Sequence, residues 1–163
     1  MAEKTYTVIE DGQKIVNKLV ERYPDVLWQV REGQVAVLGI ENKEAGKKAK
    51  DFTVKSVKNA ERAILVMNDI KVRYIIEFYY SRWNEWDDAR REWTILNALL
   101  RISVDEEKLI APDCVDFRIF LDIVSFDWTI EGADLPSLTS GDPIKFDLDL
   151  RPGIDDEAEG EED

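Results

Sequence analysis

Residues 74–103 constrain the fold more than any other stretch, because they predict a buried strand that runs directly into a long amphipathic helix. The first seven of these residues are apolar, β-branched or aromatic except for Glu77, which is typical of a buried strand. Asp87 and Asp88 then supply capping oxygens and negative charge where a helix would start. Beyond them, apolar side chains recur at helical spacing. The sequence thus predicts a strand followed by a central helix.

A six-residue segment in this predicted helix resembles the motif of a known family. Residues 97–102 read Asn-Ala-Leu-Leu-Arg-Ile, after a strand and a tryptophan-containing connection. This order resembles the phage metallopeptidases, small zincin-like proteins whose helix bears HExxH. Residues 112–118 and 126–128 resemble the downstream segment of that family, and residues 46–56 resemble its glycine- and lysine-rich stretch. The likeness spans residues 10–130 and implies a zincin-like core.

The absence of histidine decides what chemistry this frame can support. A HExxH site needs two imidazoles one helical turn apart to hold Zn²⁺, and a glutamate between them to activate water. The degenerate motif positions hold Asn97, Ala98 and Arg101 instead. Arg101 would place a fixed positive charge where the zinc ion should sit. We therefore expect a protein that is not an enzyme, with no catalytic residue, no metal and no cofactor.

Four polar residues of the predicted helix form a candidate binding ridge, because spacings of four, three and four place them on one side. In the family that the chain resembles, this side faces the catalytic cleft. Two arginines and an amide could there hold an anion or a carboxylate of a partner. The alternative is an ordinary solvated face that pairs with Asp87 and Asp105. The ridge consists of Arg90, Thr94, Asn97 and Arg101.

Three tryptophans cluster around the start of the predicted helix, at Trp83, Trp86 and Trp93. An indole buries a large apolar area whatever the function, so packing in the core is one interpretation. The other is an aromatic lip that faces a ligand or a partner.

Residues 43–62 are basic within an acidic chain, with seven lysines and arginines against three acids. Such a stretch is typical of a phosphate site or an acidic-partner site, and equally of a solvated loop and helix face. Phe52 is the single aromatic residue in this stretch, which argues against stacking on nucleic-acid bases.

The remaining patterns predict the other elements of a small sheet and its helices. Ala60, Ile64 and Leu65 are expected to pack inward from one of those helices. The predicted elements are a helix at 10–23, a hairpin from 26–30 and 35–40, a helix at 57–67, a helix at 115–123, an extended segment at 126–130, a loop at 132–143 and an added edge strand at 144–150.

Length and composition fit a single α+β domain over residues 1–154, in which helices pack a small mixed sheet and the central helix covers about residues 87–103. The chain has 163 residues, 44% of them apolar, and the predicted edge strand would be a C-terminal β extension. Residues 155–163 hold seven acids and are predicted to be a disordered tail. The lone Cys114 can form no intramolecular disulfide. The sequence shows neither a signal peptide nor an apolar run long enough for a membrane span, so we expect a cytoplasmic protein without a membrane partner.

These observations leave three functions open. The resemblance favours a non-catalytic phage or prophage protein on a degenerate metallopeptidase scaffold, which acts by protein–protein interaction. The net charge of −13 is also typical of an acidic decoy that inhibits a host nucleic-acid-binding or defence protein. A structural or assembly role in the virion is the third possibility, with residues 144–150 as a pairing arm. The sequence predicts a protein partner rather than nucleic acid, and it leaves the oligomeric state open.

Overall fold

The structure is a computed structural model, and it describes residues 3–47, 49–103, 108–112, 116–125, 127–129 and 133–152. The elements in chain order are β1 (Tyr6–Val8), α1 (Glu10–Arg22), β2 (Val35–Ile40), β3 (Thr53–Ser56), α2 (Asn59–Met67), β4 (Tyr74–Tyr79), α3 (Tyr80–Glu85), α4 (Asp88–Leu100), α5 (Arg118–Leu121) and a 3-10 helix (Leu148–Leu150).

The four strands form one mixed sheet in the order β1-β2-β4-β3, so the predicted α+β class is confirmed. The central strands β2 and β4 are parallel, from the pair Val35 and Tyr74 to the pair Ile40 and Tyr79, and both edge strands are antiparallel to their neighbours. The two central strands carry fully buried apolar side chains, as parallel pairs in a sheet interior usually do. The core of the protein lies around them.

The predicted passage from strand to helix is confirmed, with one added turn. The short helix α3 follows β4 directly, and α4 begins after Asp87, whose side chain accepts a hydrogen bond from the Arg90 backbone N–H at 2.8 Å. Every residue of α4 from position 92 to 100 is buried. The helix ends at Leu100, earlier than predicted, and α1 packs against it.

The predicted hairpin is wrong in its first half. Residues 24–29 form turns, and only the second half is a strand, which pairs with β1 and β4. Val26, Leu27 and Val30 are nevertheless buried in the core. Their apolar run therefore reflects burial of a turn rather than an extended backbone.

The prediction that Ala60, Ile64 and Leu65 pack inward is also wrong. The helix exists as α2, but none of its residues is buried, and Ile64 remains 58% exposed. Among the described helices and strands, α2 is not one of those that pack closely on another element. The apolar face of α2 is therefore directed outward.

The C-terminal part of the chain differs from its prediction because it packs on helices rather than on the sheet. Residues 144–150 form no strand and end in the 3-10 helix, while Phe146 packs against Tyr23. Residues 127–129 are turns rather than an extended segment. The predicted helix at 115–123 is reduced to α5 within the described residues, although Phe117 and Phe120 are fully buried.

Some predictions fall on residues that the structure does not describe. Cys114, Asp105 and the acidic tail at 155–163 lie outside the described residues. Within the described ranges, no helix has the length and apolar character needed to cross a membrane.

Candidate functional site

The C-terminal end of α4 forms one wall of a cleft of about 380 Å³. The segment before β3 forms another wall, and the segments on either side of α5 complete it. The lining residues are Lys50, Asp51, Phe52, Asn97, Arg101, Asp116, Leu121, Trp128 and Thr129.

Asn97 and Asp116 form the buried base of this cleft. Asn97 is 2% exposed, and its amide Nδ2 donates a hydrogen bond to Asp116 Oδ1. Asp116 also accepts from the Phe117 backbone N–H at 2.9 Å and from Trp128 Nε1 at 3.0 Å. A buried carboxylate needs such donors, because loss of its water shell is otherwise costly. The polar base is therefore held rigidly by its own contacts.

Arg101 lies beside this base, directly after the last residue of α4 and four residues after Asn97. Its Nε and Nη2 donate to Asn97 Oδ1, each at 3.3 Å, and its guanidinium lies 4.8 Å over the ring of Phe52. Burial lowers the pKa of Arg101 from its ordinary value, and the negative charge of Asp116 opposes that shift. Arg101 forms no ion pair with any residue that the structure describes. A half-buried guanidinium can still donate charge-assisted hydrogen bonds to an added anion.

Two lining residues of the cleft that form no ion pair among the described residues, Lys50 and Arg101, are positively charged. Asp51 is already engaged, because it lies 2.9 Å from Arg82 Nη1 and 3.5 Å from Arg90 Nη2. Lys50 is exposed on the lining and has no ion pair among the described residues. Lys50 and Arg101 thus supply two positive charges to the cleft, beside the buried carboxylate of Asp116, on a chain whose net charge is −13.

The candidate ridge does not form one exposed surface. Thr94 is buried, and its Oγ1 donates to the Arg90 carbonyl at 2.7 Å. Arg90 lies between two indoles, 5.0 Å from the ring of Trp86 and 5.9 Å from that of Trp128, and it donates to the Thr129 carbonyl. Asn97 and Arg101 are the ridge residues that line the cleft. The alternative of a solvated face is wrong as well, because two of the four residues are buried.

Ala98, the third degenerate motif position, is fully buried in the core and does not line the cleft. Packing of α4 on all sides leaves this position no access to solvent. Of the three residues Asn97, Ala98 and Arg101, the first and the last therefore line the cleft, and Ala98 lies in the core.

The tryptophans do not form an aromatic lip. Trp83 and Trp93 are buried to 2% and 0% exposure, which favours the packing interpretation for both. Trp93 Nε1 donates to the Pro136 carbonyl at 2.8 Å, and the ring of Trp83 lies 4.9 Å from that of Phe78. Trp86 is half-buried and lies against Arg90. Its indole supports the arginine rather than a free surface.

The basic stretch is divided among three places. Lys50 lines the cleft, Lys55 pairs with Glu77 at 3.1 Å, and Lys58 precedes α2. Sequence patterns alone did not indicate that Asp116 and Trp128 belong to the site. An aspartate within an apolar run is the one signal that could have suggested a buried, hydrogen-bonded carboxylate.

Comparisons with protein-family models, with curated proteins and with solved structures return nothing that matches this chain. Within the described ranges, histidine, cysteine, aspartate and glutamate side chains form no group of three or more that could hold a metal ion. The side chains of the cleft itself are thus what define its chemistry.

Proposed function

We propose that this chain is a non-catalytic binding protein that takes a carboxylate of a protein partner into the cleft beside Arg101. The observation that carries the proposal is the half-buried Arg101 guanidinium, which lines the cleft and has no ion pair among the described residues. Its Nε and Nη2 are fixed by Asn97, so the group is positioned before a ligand arrives. Pre-positioning reduces the entropy that binding must offset.

The residue types of the cleft favour binding over catalysis. Asp116 accepts hydrogen bonds from the amide, the indole and a backbone N–H, which occupy a carboxylate that could otherwise act as a base. The degenerate motif positions hold no residue that could bind Zn²⁺ strongly or activate water. Both features support a scaffold that recognises a partner.

A carboxylate on a protein segment suits the cleft better than a free ion does. The guanidinium offers a donor edge, Phe52 provides an apolar wall, and Lys50 adds a second positive charge. Charge-assisted hydrogen bonds to guanidinium groups are among the strongest in proteins, and the wall can cover the rest of a side chain. The proposed origin in a phage or prophage depends on the resemblance to the metallopeptidase family. The proposed cytoplasmic location is supported by the lack of a membrane-spanning helix within the described ranges.

The test is quantitative affinity capture with a matched pair of variants. Tagged wild-type protein, Arg101→Met and Arg31→Met are each incubated with bacterial lysate at low and at high salt. Arg31 is an exposed arginine outside the cleft, so its variant loses the same charge without changing the site. We expect a partner that wild type and Arg31→Met retain at both salt concentrations. Arg101→Met should retain about tenfold less of it, because a desolvated charge pair is lost.

Two results would count against this proposal. Equal retention by all three proteins would show that Arg101 does not contribute to binding. Retention of nucleic-acid-handling proteins that wash off in high salt would instead favour the acidic decoy, for which the net charge of −13 is the supporting observation.

A further inference from the structure

Four cations line the cleft beside Arg101 or pair with a residue that lines it. Two of them belong to the lining, and the other two lie 2.9 and 3.5 Å from the carboxylate of Asp51. The cations are Lys50, Arg101, Arg82 and Arg90, and the carboxylates of the lining are Asp51 and Asp116. Four positive charges thus meet two negative ones, which gives this region a local charge of +2 on an acidic chain.

The guanidinium of Arg101 keeps part of its hydrogen-bonding edge for a ligand. A guanidinium carries five N–H donors on three nitrogens. Nε and Nη2 of Arg101 donate to Asn97 Oδ1, whereas Nη1 donates to no residue that the structure describes. A carboxylate that enters the cleft can therefore bind at Nη1 while Asn97 holds the rest of the group in place.

The described chain ends next to an element that forms part of the cleft. The 3-10 helix at 148–150 contacts α5, and Leu121, the last residue of α5, lines the cleft. The chain is described as far as Pro152, which is buried. Residues 153–163 follow, and eleven residues can span up to about 36 Å, several times the length of α5. The cleft therefore lies within reach of these residues.

Residues 155–163 have the charge that the cleft attracts. Seven of these nine residues are acids and none is basic, so this segment, here called the acidic segment, carries −7. The net charge of −13 less these seven charges leaves −6 for residues 1–154. Most of the protein therefore repels the acidic segment, whereas the region of +2 around the cleft attracts it. A tethered ligand of this kind has an effective concentration on the order of 1 mM.

We propose that the acidic segment binds in the cleft beside Arg101 and competes there with the carboxylate of the partner. The inference rests on the proposed function, because it assigns a competitor to the same cleft. Aspartate or glutamate side chains of the segment bind Arg101, and Lys50 attracts them to the cleft. A partner must then bind more tightly than a tethered acid does, so the segment excludes weakly matched acidic proteins.

The probe is a synthetic peptide of residues 153–163 with a fluorescent label at its N-terminus. Its binding is measured by fluorescence anisotropy on the full-length chain and on a full-length amide variant, whose acidic segment has lost its charge. The amide variant is also prepared with Arg101→Met, with Lys50→Met and with Arg31→Met, the matched control outside the cleft. The amide variant carries Asp155→Asn, Asp156→Asn, Glu157→Gln, Glu159→Gln, Glu161→Gln, Glu162→Gln and Asp163→Asn.

We expect the peptide to bind the amide variant, and to bind wild type about fivefold more weakly or less, because the wild-type segment already fills the cleft. Within the amide variant, Arg101→Met should weaken binding by about tenfold and Lys50→Met by about threefold, since both remove a cation that attracts the peptide. Arg31→Met should leave binding unchanged. Lys50 is exposed, so its variant tests the cleft even if Arg101→Met unfolds.

Three results would overturn the proposal: no binding of the peptide to the amide variant, equal binding to the amide variant and to wild type, or equal weakening by Lys50→Met and Arg31→Met. Capture from lysate separates this inference from the proposed function. If the amide variant retains a partner that depends on Arg101 while the peptide does not bind, only the inference about the acidic segment is wrong. If the peptide binds as expected and no such partner is retained, the proposed function is wrong, and with it the competition.

Discussion

Glu77 interrupts an otherwise apolar central strand, and the structure shows how its charge is accommodated. Its carboxylate is almost fully buried and lies 3.1 Å from the ammonium group of Lys55 on the neighbouring strand β3. The hydrogen bond to Glu77 raises the pKa of Lys55 above its ordinary value, against the opposing effect of burial. Glu77 is therefore tolerated because an edge strand supplies a cation at this point.

Lys55→Met should lower the free energy of unfolding by about 1 kcal/mol at pH 7. The value is small for a buried carboxylate that loses its partner, because half of the Lys55 side chain lies in solvent. The raised pKa means that the contribution of Lys55 is complete below about pH 10.4 and is lost as the pH rises through the higher folded-state value. Urea unfolding from pH 7 to pH 11 measures this difference.

The control for this prediction is Lys58→Met, which removes an exposed lysine that has no ion pair among the described residues. A difference between wild type and Lys55→Met that persists unchanged at pH 11 would contradict the assignment. Equal destabilisation by the two lysine variants would do so as well.

At the scale of elements, Gly39 lets the chain pass from β4 into α3. The first residue of α3, Tyr80, lies over Gly39 in the adjacent strand β2. A Cβ atom at Gly39 would lie 2.6 Å from Tyr80 Cδ2 and 3.1 Å from two carbons of Ile9. Since real side chains essentially never approach that closely, the close contact requires glycine at this position.

Gly39→Ala should lower the free energy of unfolding by about 1–3 kcal/mol, because added volume in a packed site displaces its neighbours. Gly46→Ala is the control, since a Cβ atom there meets nothing within 4 Å. Chemical denaturation of both variants measures the effect. Similar stability of the two variants would show that Tyr80 moves aside without cost.

At the scale of the whole molecule, the C-terminal segment from residue 133 to residue 152 is tied to the two long helices. Glu92 of α4 is buried and accepts from the Leu138 N–H at 2.6 Å. Tyr23, which follows α1 directly, donates its hydroxyl to the Leu138 carbonyl at 3.0 Å. Leu138 is fully buried in the same apolar cluster that includes Ile9. Residues far apart in the sequence therefore share one core.

Phe146→Ala should destabilise the protein by about 1–3 kcal/mol. The ring makes edge contacts with Tyr23 at 5.4 Å and with Trp93 at 6.1 Å between centroids, and it is half-buried. The expected loss of stability is therefore smaller than for the same substitution at a fully buried phenylalanine. Leu148→Ala, at an exposed position nearby, should change stability by about 0.5 kcal/mol or less. Thermal unfolding of both variants distinguishes a packed segment from a loosely attached one.

Local interactions are what the sequence could predict about the fold. The helix α1, the strand β4 and the start of α4 follow from periodicity and from the capping side chain of Asp87, all of which act within a few residues. For the cleft, the spacing of four residues between Asn97 and Arg101 predicted that their side chains lie one helical turn apart. In the structure these two side chains form a hydrogen bond. The sequence could not predict that Asp116 belongs to this site, because its hydrogen bond with Asn97 joins residues 19 positions apart.

The sequence by itself thus determined the α+β class and the absence of a histidine pair for zinc. Only the tertiary structure decided which apolar faces are covered. It turned the apolar face of α2 outward, buried Trp83 and Trp93, and placed residues 144–150 on helices rather than in the sheet. The physical reason is that periodicity records an apolar face, whereas its burial depends on partners brought together by long-range packing.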